Sequence, residues 1–346
     1  MIQSIDSFSS RLILWQRQHG RHDLPWQKTR DAYRIWLSEI MLQQTQVATA
    51  IPYYRRFLER FPDVATLAAA PIETVLESWA GLGYYARARN LHRCAQMVVA
   101  DHLGQFPGDP RLLAELPGIG RSTAAAICVF ARGTRAAILD GNVKRVVARC
   151  FGIEGFPGAG KIEKKMWALV DSLLPDTEVE AYTQGLMDLG ATVCTRSTPS
   201  CADCPLHDIC VANREGRQAE LPSARPAKAL PEREASVILL TDGQSVLLER
   251  RPPTGIWGGL LALPEAVPES AEAFAQAHGC RLLQTYELPP LRHIFSHFRL
   301  TIRPLLCRAE KTGASVGEPG WEWVAIGDID SAALPAPIRR LLLQLT

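Results

Sequence analysis

Apolar residues recur at intervals of three and four along the first 215 residues, which is the period of helices that bury one face. Six stretches carry this pattern: FSSRLILWQ, AYRIWLSEIML, YYRRFLERF, ETVLESWA, RNLHRCAQMVVA and KKMWALVDSLL. Proline and glycine separate these stretches, and no convincing strand alternation precedes residue 235. The pattern therefore predicts an all-α domain over residues 1–215.

The pattern changes after residue 234. Residues 216–234 are rich in proline, alanine and charge, which is typical of a linker. Short apolar runs follow on both sides of Asp242–Gly243, a hairpin signal, and again at 298–307 and 321–326. Helical patterns lie at 269–279 and 336–345. We predict a separate α+β domain over residues 235–346, and therefore a multidomain chain.

Composition excludes some classes of protein. The chain has 346 residues, of which 47% are hydrophobic, and a net charge of +2, so any binding of nucleic acid must depend on local patches. The sequence contains no run of about 18 apolar residues, so we predict no transmembrane helix. The N-terminus has no secretory pattern, so we expect a cytoplasmic protein, associated with the nucleoid if bacterial.

Four of the nine cysteines are closely spaced, as C-x6-C-x2-C-x5-C. They are Cys194, Cys201, Cys204 and Cys210. An odd number of cysteines with four in one short segment argues for a metal site in a reducing compartment. Four thiolates this close can bind an iron–sulfur cluster or tetrahedral zinc, and the spacing alone does not choose between them. The other five cysteines are interpreted as core residues.

The segment 116–145 combines a phosphate-binding turn with an isolated acid. Gly118 and Gly120 lie in a tight turn before a helix-forming run, where backbone N–H groups suit a phosphate. Asp140 opens the next helix and is surrounded by basic residues in the sequence. The simplest interpretation of Asp140 is an N-cap. A functional role is compatible with it, because a capping carboxylate is kept ionised by the helix N-terminus and an anion suits a developing oxocarbenium ion.

Glu39 is the candidate partner of Asp140. On a helix its neighbours one turn away include Ile35, Trp36 and Leu42, and desolvation by them would raise the pKa of its carboxyl. Such a group can act as a general acid near neutral pH. The alternative is a glutamate that faces solvent beside the core. A neutral carboxyl paired with an anionic one is the arrangement that breaks glycosidic bonds.

A second nucleic-acid signal lies at residues 81–90, GLGYYARARN. An exposed tyrosine next to arginines can wedge between bases while the cations hold phosphates. The alternative is a tyrosine packed in a corner between helices.

Together these motifs resemble the helix-hairpin-helix DNA glycosylases that carry an iron–sulfur cluster. LPGIG (116–120) is similar to the hairpin, Asp140 matches the family's aspartate, and the cysteine spacing matches its cluster loop. SEIMLQQTQV (38–47), GLGYYARARNL and LDGNVKR resemble the adenine-specific branch. The resemblance implies a monofunctional glycosylase of base excision repair with a [4Fe–4S] cluster. Its partner would be double-stranded DNA with adenine opposite 8-oxoguanine or guanine, bound by a monomer.

The resemblance also implies roles for individual residues. Glu39 would protonate N7 of the flipped adenine and help to activate water. Asp140 would stabilise the oxocarbenium ion or trap it covalently, and Asn142 would orient Asp140. Trp26 and Gln184 would line the adenine pocket, Gln44 and Tyr84 would fill the stack beside 8-oxoguanine, and Gly118, Gly120, Ser122 and Lys144 would contact DNA. Ser122 stands where bifunctional relatives have a lysine, and a serine cannot form a Schiff base.

The C-terminal part resembles the Nudix-like recognition domain of the same enzymes, beginning at 247–265. The predicted helix at 269–279 lacks the REx2EE glutamates of Nudix hydrolases, so pyrophosphate hydrolysis is not expected. HIFSHFRL (293–300) resembles the family loop that reads 8-oxoguanine, with Phe295, Ser296 and His297 as candidates. Without the resemblance, a strand end with a hydrogen-bonded histidine is the default interpretation.

Three alternatives stay open. The first is an endonuclease III-like glycosylase with AP-lyase activity on oxidised pyrimidines. The second is a Nudix-type nucleotide hydrolase with a helical DNA-binding domain. The third is a non-catalytic iron–sulfur DNA-binding module, in which Asp140 is only a cap and Glu39 only a surface residue.

Overall fold

The structure, a computed structural model, describes residues 2–226, 229–253, 255–295, 297–312 and 320–344. The chain divides into two compact units. The helical unit comprises Met1–Ala69 and Arg93–Ala227, and the sheet unit comprises Ala70–His92 and Lys228–Thr346. The second unit therefore includes a short segment from within the N-terminal helical region, which the predicted boundaries at residues 215 and 235 do not anticipate.

Helices account for the regular structure before residue 229, as the apolar period predicts. They are α1 (Ile2–His19), α2 (Ala32–Leu42), α3 (Val47–Arg60), α4 (Val64–Ala69), α5 (Ile72–Ser78), α6 (Ala86–His102), α7 (Pro110–Leu113), α8 (Arg121–Arg132), α9 (Gly141–Cys150), α10 (Gly160–Leu173), α11 (Val179–Asp188) and α12 (Val211–Glu215). Each of the six apolar stretches lies on one of these helices or extends at most two residues past its end. None of the helices among the described residues is long and apolar enough to cross a bilayer.

The core of the helical unit lies where α1, α8, α9, α10 and α11 meet. Leu12, Val129, Val147, Met166 and Leu186 contribute one residue from each of these helices and are at most 1% exposed. The packing fixes α9, which carries Asp140 at its N-terminus, against its neighbours.

The sheet unit is a mixed β-sheet with a helix on each face. Its strands are β1 (Glu232–Thr241), β2 (Ser245–Arg250), β3 (Leu261–Ala262), β4 (Cys280–Glu287), β5 (Leu291–Ile294), β6 (Arg299–Lys311) and β7 (Trp321–Ala325), and its C-terminal helices are α13 (Ala271–Ala277) and α14 (Ala336–Leu342). The strand order is β3-β2-β1-β6-β4, with β5 also paired to β6 and β7 to β2. Only β1 and β6 run parallel among these pairs.

Alternation along β1 explains the two layers. Val237 and Leu239 face the core that includes α14, whereas Ile238 and Leu240 face the core that includes α13. Successive strand residues point to opposite faces, so an apolar run without polar interruption is typical of a strand buried on both sides.

The predicted β1–β2 hairpin is confirmed, with Thr241 paired to Val246. The Asp242 carboxylate accepts hydrogen bonds from the backbone N–H groups of Gln244 at 2.9 Å and Ser245 at 2.7 Å, which closes the turn. Strand β4 was not predicted, because it ends the sheet and only Cys280 of its eight residues is buried. An exposed edge strand leaves no apolar alternation in the sequence.

Candidate active site

A cavity of about 350 Å³ opens in the helical unit between the 3₁₀ turn Pro25–Lys28, α2 and α11. Trp26, Ile35 and Met187 contribute apolar walls, and Glu39 and Gln184 contribute polar groups. We call it the Glu39 pocket. Three residues that the sequence analysis selected from distant positions, Trp26, Glu39 and Gln184, therefore meet at one cavity. A concave site of this size, whose walls combine aromatic and apolar side chains with polar groups in about equal measure, suits a base-sized ligand.

Glu39 lies on α2, whose N-terminus is capped by the Asp31 carboxylate accepting from the Tyr33 N–H at 2.9 Å. Burial, and secondarily the charge of Asp140, raise the pKa of Glu39 to about 8. Among the described residues, none donates a hydrogen bond to this carboxyl. The neutral form is therefore favoured at neutral pH, as a general acid requires.

Asp140 is the N-cap of α9 and accepts a hydrogen bond from the Val143 N–H at 2.7 Å. Burial raises its pKa, against the opposing effects of the Val143 and Asn142 N–H groups and of the Arg145 and Lys144 charges. The helix N-terminus acts in the expected direction and favours the anion, but desolvation, which the sequence did not predict, is the larger effect. The N–H donors and the two cations still favour the ionised form of Asp140. Neither kind of group acts on Glu39, so Asp140 loses its proton at a lower pH than Glu39 does.

Asn142 connects Asp140 to the cysteine segment. Its backbone N–H faces Asp140, whereas its side-chain Oδ1 accepts from Arg145 Nη2 at 2.7 Å. Arg145 also donates to the carbonyl oxygens of Gly190 at 2.6 Å and Cys194 at 2.7 Å. The Asn142 side chain thus orients Arg145, and Asn142 reaches Asp140 through its backbone.

The hairpin and its surroundings form a compact support for Asp140. Gly118 has φ of 79°, a left-handed conformation that favours glycine, and Gly120 precedes α8. Ser122 accepts the Leu139 N–H at 2.9 Å, which ties the segment before Asp140 to α8. Lys144 Nζ lies 2.6 Å from Glu163 Oε1.

The basic residues near Asp140 in sequence are mostly engaged elsewhere. Arg121 pairs with Asp171 at 2.9 Å and stacks on Trp167 with its guanidinium carbon 3.7 Å from the ring centroid. Arg135 pairs with Asp176 at 3.1 Å. These contacts hold Arg121 and Arg135 on carboxylates of the helical unit, whereas Arg145 and Lys144 act as charges on Asp140.

The sequence analysis missed two residues beside the pocket, Arg21 and Asp188. The Asp188 carboxylate, 1% exposed, accepts from Arg21 Nε at 2.7 Å, from the Arg21 N–H at 2.9 Å and from Gln184 Nε2 at 2.9 Å. Gln184 and Asp188 are four residues apart on α11, a spacing that brings side chains together. That spacing was the available signal, and Asp188 fixes the orientation of the Gln184 amide.

Gln44 and Tyr84, the candidates for filling the base stack, share an unusual backbone. Gln44 has φ of 60° and Tyr84 has φ of 48°, both left-handed. Non-glycine residues in this region carry strain of about 1–3 kcal/mol that clusters at functional positions. Tyr84 is 58% exposed, so it is not packed in a helix corner. Tyr85 packs instead and donates to the Leu334 carbonyl at 3.2 Å.

The four closely spaced cysteines line one cavity in the helical unit. Arg149 Nη1 donates to Cys194 Sγ at 3.4 Å and Gln218 Nε2 to Cys201 Sγ at 3.8 Å. Four sulfurs around one cavity, two of them accepting from N–H donors, provide the donor set of an anionic iron–sulfur cluster.

The five remaining cysteines are buried, as expected of core residues. They are Cys94, Cys128, Cys150, Cys280 and Cys307. Cys150 has an additional contact, since its thiol hydrogen-bonds to Cys210.

The predicted lesion-reading loop lies between β5 and β6. Phe295 is half-buried and stacks on Phe298 with ring centroids 4.5 Å apart and planes 17° apart, and its N–H donates to the Phe298 carbonyl at 2.9 Å. His297 is exposed. Ser296 lies outside the described residues. The His297 ring also packs edge-on against Phe298, with ring centroids 4.7 Å apart, so both side chains of the loop are anchored on Phe298 while His297 keeps an exposed surface.

Both parts of the chain match known protein families. Residues 37–172 match the family described as HhH-GPD superfamily base excision DNA repair protein, and residues 235–344 match the NUDIX domain. The adenine DNA glycosylase of Buchnera aphidicola is 35% identical, covering 97% of this chain and 96% of the relative. The adenine DNA glycosylase of Mus musculus is 31% identical over 98% of this chain and 78% of its own.

Solved structures resemble the helical part. A thermostable thymine-DNA glycosylase is 28% identical with a TM-score of 0.56, covering 62% of this chain and 98% of its own. Endonuclease III in a non-covalent DNA complex is 22% identical with a TM-score of 0.52 over the same shares, which establishes a common fold.

Proposed function

The chain belongs to the adenine DNA glycosylases of the HhH-GPD superfamily, enzymes of base excision repair, and from this premise we propose that it removes adenine opposite 8-oxoguanine or guanine in double-stranded DNA. The observation that carries the proposal is a pair of buried carboxyls close enough for the charge of one to act on the other. Glu39 is biased towards its neutral form inside a base-sized pocket, and the charge of Asp140 acts on it.

The proposed reaction begins with extrusion of the adenine into the Glu39 pocket. Trp26 offers an aromatic face, and the Gln184 amide, fixed by Asp188, offers hydrogen bonds to the base edge. Extrusion of a mispaired base costs a few kcal/mol, about the amount that stacking and phosphate contacts supply.

Proton transfer then drives cleavage. Neutral Glu39 donates its proton to N7 of adenine, and the N-glycosidic electron pair moves to the base as the bond breaks. Asp140, the carboxylate that ionises first, stabilises the positive charge that develops on the sugar. The Glu39 carboxylate produced in this step accepts a proton from the attacking water, which restores the neutral acid.

The surroundings of the pair support a monofunctional enzyme. Ser122 has no amine, and Lys144 is held by Glu163. Without a free amine at the sugar, no Schiff base forms and the strand is not cut by β-elimination.

The cysteine cavity is proposed to hold a [4Fe–4S] cluster through Cys194, Cys201, Cys204 and Cys210. A bound cluster would cross-link the segment 194–210 through four thiolates. Arg145, which donates to the Cys194 carbonyl, connects this segment to α9.

Single-turnover excision on a short duplex tests the function. The expected result is release of adenine opposite 8-oxoguanine, slower release opposite guanine, and no action on thymine glycol. Borohydride should trap no covalent complex with abasic DNA. Efficient trapping together with cleavage of thymine glycol would replace the proposal with an endonuclease III-like activity, and hydrolysis of 8-oxo-dGTP would support a Nudix hydrolase.

A further inference from the structure

The rim of the Glu39 pocket carries an ion pair that the proposed reaction does not use. Arg30 Nη1 and Nη2 donate to Oε1 and Oε2 of Glu180 at 2.7 and 2.9 Å. Both residues line the pocket. Their side chains are 64% and 39% exposed, whereas Trp26 is 9% exposed, so the pair lies on the solvent side of the cavity.

In a complex with DNA, the rim of a pocket that holds an extruded base lies against the sugar–phosphate backbone. An extruded nucleotide stays joined to its strand by the phosphates on either side of its sugar. Groups on the rim therefore face the sugar–phosphate backbone once the base is inside. A cation there meets a phosphate, which is where positive side chains contribute most to binding of DNA.

The geometry of the pair leaves Arg30 able to bind a phosphate. A guanidinium has five N–H donors, and a carboxylate held in a two-point contact engages two of them. The remaining donors point away from Glu180. The carboxylate fixes the orientation of a long side chain that would otherwise lose rotamer freedom on binding.

We propose that Arg30, oriented by Glu180, binds a phosphate that flanks the extruded adenosine. The inference rests on the proposed function, because it takes the Glu39 pocket as the site of the base. Arg30 is then a DNA-binding residue that recognises the flipped state, and Glu180 is its positioning residue.

The chain offers a matched control. Arg17 on α1 forms an ion pair with Glu178, the residue that precedes α11, and these side chains are 57% and 41% exposed. Neither residue lines the pocket. Both pairs thus join an exposed arginine to the start of α11, and exposed pairs of this kind contribute little to stability. Only the Arg30 pair lies at the rim.

The first experiment measures the salt dependence of binding by the full-length protein. The probe is a duplex with uncleavable 2′-fluoro-2′-deoxyadenosine opposite 8-oxoguanine, between about 50 and 200 mM salt. Arg30→Ala should weaken binding roughly fivefold to tenfold and reduce the slope of log K against log[salt] by about 1. Arg17→Ala should leave the slope unchanged. An unchanged slope for Arg30→Ala, or an equal change for Arg17→Ala, overturns the proposal.

The second experiment identifies the phosphate. A neutral methylphosphonate replaces the phosphate on the 5′ or the 3′ side of the target nucleotide. At one position the replacement should weaken binding to the wild-type protein but not to Arg30→Ala, because the contact is already lost. Penalties that are equal in both proteins at both positions contradict the contact.

Two further measurements distinguish a variant that does not fold, a wrong assignment of function and a wrong assignment of the phosphate contact. Arg30→Gln keeps the length of the side chain and replaces Arg30→Ala if thermal unfolding shows that the alanine variant does not fold. Wild-type protein that releases no adenine overturns the proposed function. Wild-type protein that releases adenine, with penalties independent of Arg30, overturns the present inference alone.

Discussion

Two carboxyls, Glu39 and Asp140, differ in what surrounds them more than in how deeply they are buried. Desolvation raises the pKa of both. Asp140 alone has compensation, from the N-terminus of α9 and from Arg145 and Lys144. In the proposed mechanism, the two acids therefore take different roles: Glu39 donates a proton, and Asp140 is the anion that stabilises a cation at the same pH.

Replacing Glu39 with glutamine should abolish adenine release while leaving binding to the lesion duplex nearly intact. Glutamine keeps the shape of the side chain but has no acidic proton, so the rate should fall on the order of 10²- to 10⁴-fold. Single-turnover excision and a binding titration measure the two quantities. Glu59→Gln, an exposed change on α3, is the control. Excision at the wild-type rate by Glu39→Gln would remove Glu39 from the mechanism.

The pH profile of the wild-type enzyme should show the same acid. The proton donor is the neutral form of Glu39, so the single-turnover rate should fall as pH rises through about 8, towards tenfold for each further unit. At low pH the rate should also fall, because Asp140 becomes protonated above its usual range. A rate that rises from pH 7 to pH 9 would show that another group donates the proton.

At the scale of elements, α9 and the π-helical turn Leu189–Val193 form the support of the site. A Cβ built on Gly190 would lie 2.5 Å from Cβ and 3.1 Å from Cα of Asn142. The absence of a side chain at Gly190 thus allows the turn to approach the first turn of α9. The same approach lets Arg145 reach the Gly190 carbonyl.

Gly190→Ala should therefore push α9 away and disturb Asp140. We expect a loss of stability of about 1–3 kcal/mol from the forced contact, with slower excision. Gly160→Ala is the matched control, because a Cβ at this helix start meets nothing within 4 Å. Thermal unfolding and single-turnover rates give both effects. Equal behaviour of the two alanine variants would show that the close approach has no consequence for the site.

Elements of this protein differ in how well their sequences predict them. Helix α2 matches its apolar stretch at both ends, because its buried face and its Asp31 cap are local features. The pairing of Asp188 with Arg21 joins residues 167 positions apart, and no local pattern predicts it. The sequence predicts that Asp140 caps α9, and the cap donors favour its anion, but its burial depends on the folded environment and raises its pKa.

At the scale of the whole molecule, the two units contain different parts of the proposed function. The Glu39 pocket belongs to the helical unit. The segment with Tyr84 belongs to the sheet unit, where Arg89 Nη1 donates to the Gly258 carbonyl at 2.6 Å. His297 lies in that unit as well. The candidate for wedging the stack and the candidate for reading the lesion therefore share one unit, separate from the acid chemistry.

This division predicts that changes in the sheet unit alter the choice of opposite base without removing the chemistry. His297→Ala should reduce the preference for 8-oxoguanine over guanine by about 1–3 kcal/mol, since the exposed surface of this side chain is the candidate contact to the opposite base. Adenine opposite guanine should still be released at the wild-type rate. Ratios of single-turnover rates for the two duplexes measure the preference.

Phe295→Ala separates contact from packing at the same loop. Its ring stacks on buried Phe298 and lies 5.9 Å from the Trp257 ring, so truncation should cost about 1–3 kcal/mol of folding stability as well as discrimination. If discrimination is lost in Phe295→Ala but not in His297→Ala, recognition by this loop depends on the packing of Phe295 and not on the His297 side chain. Unchanged discrimination in both variants would move recognition of 8-oxoguanine to another surface of the protein.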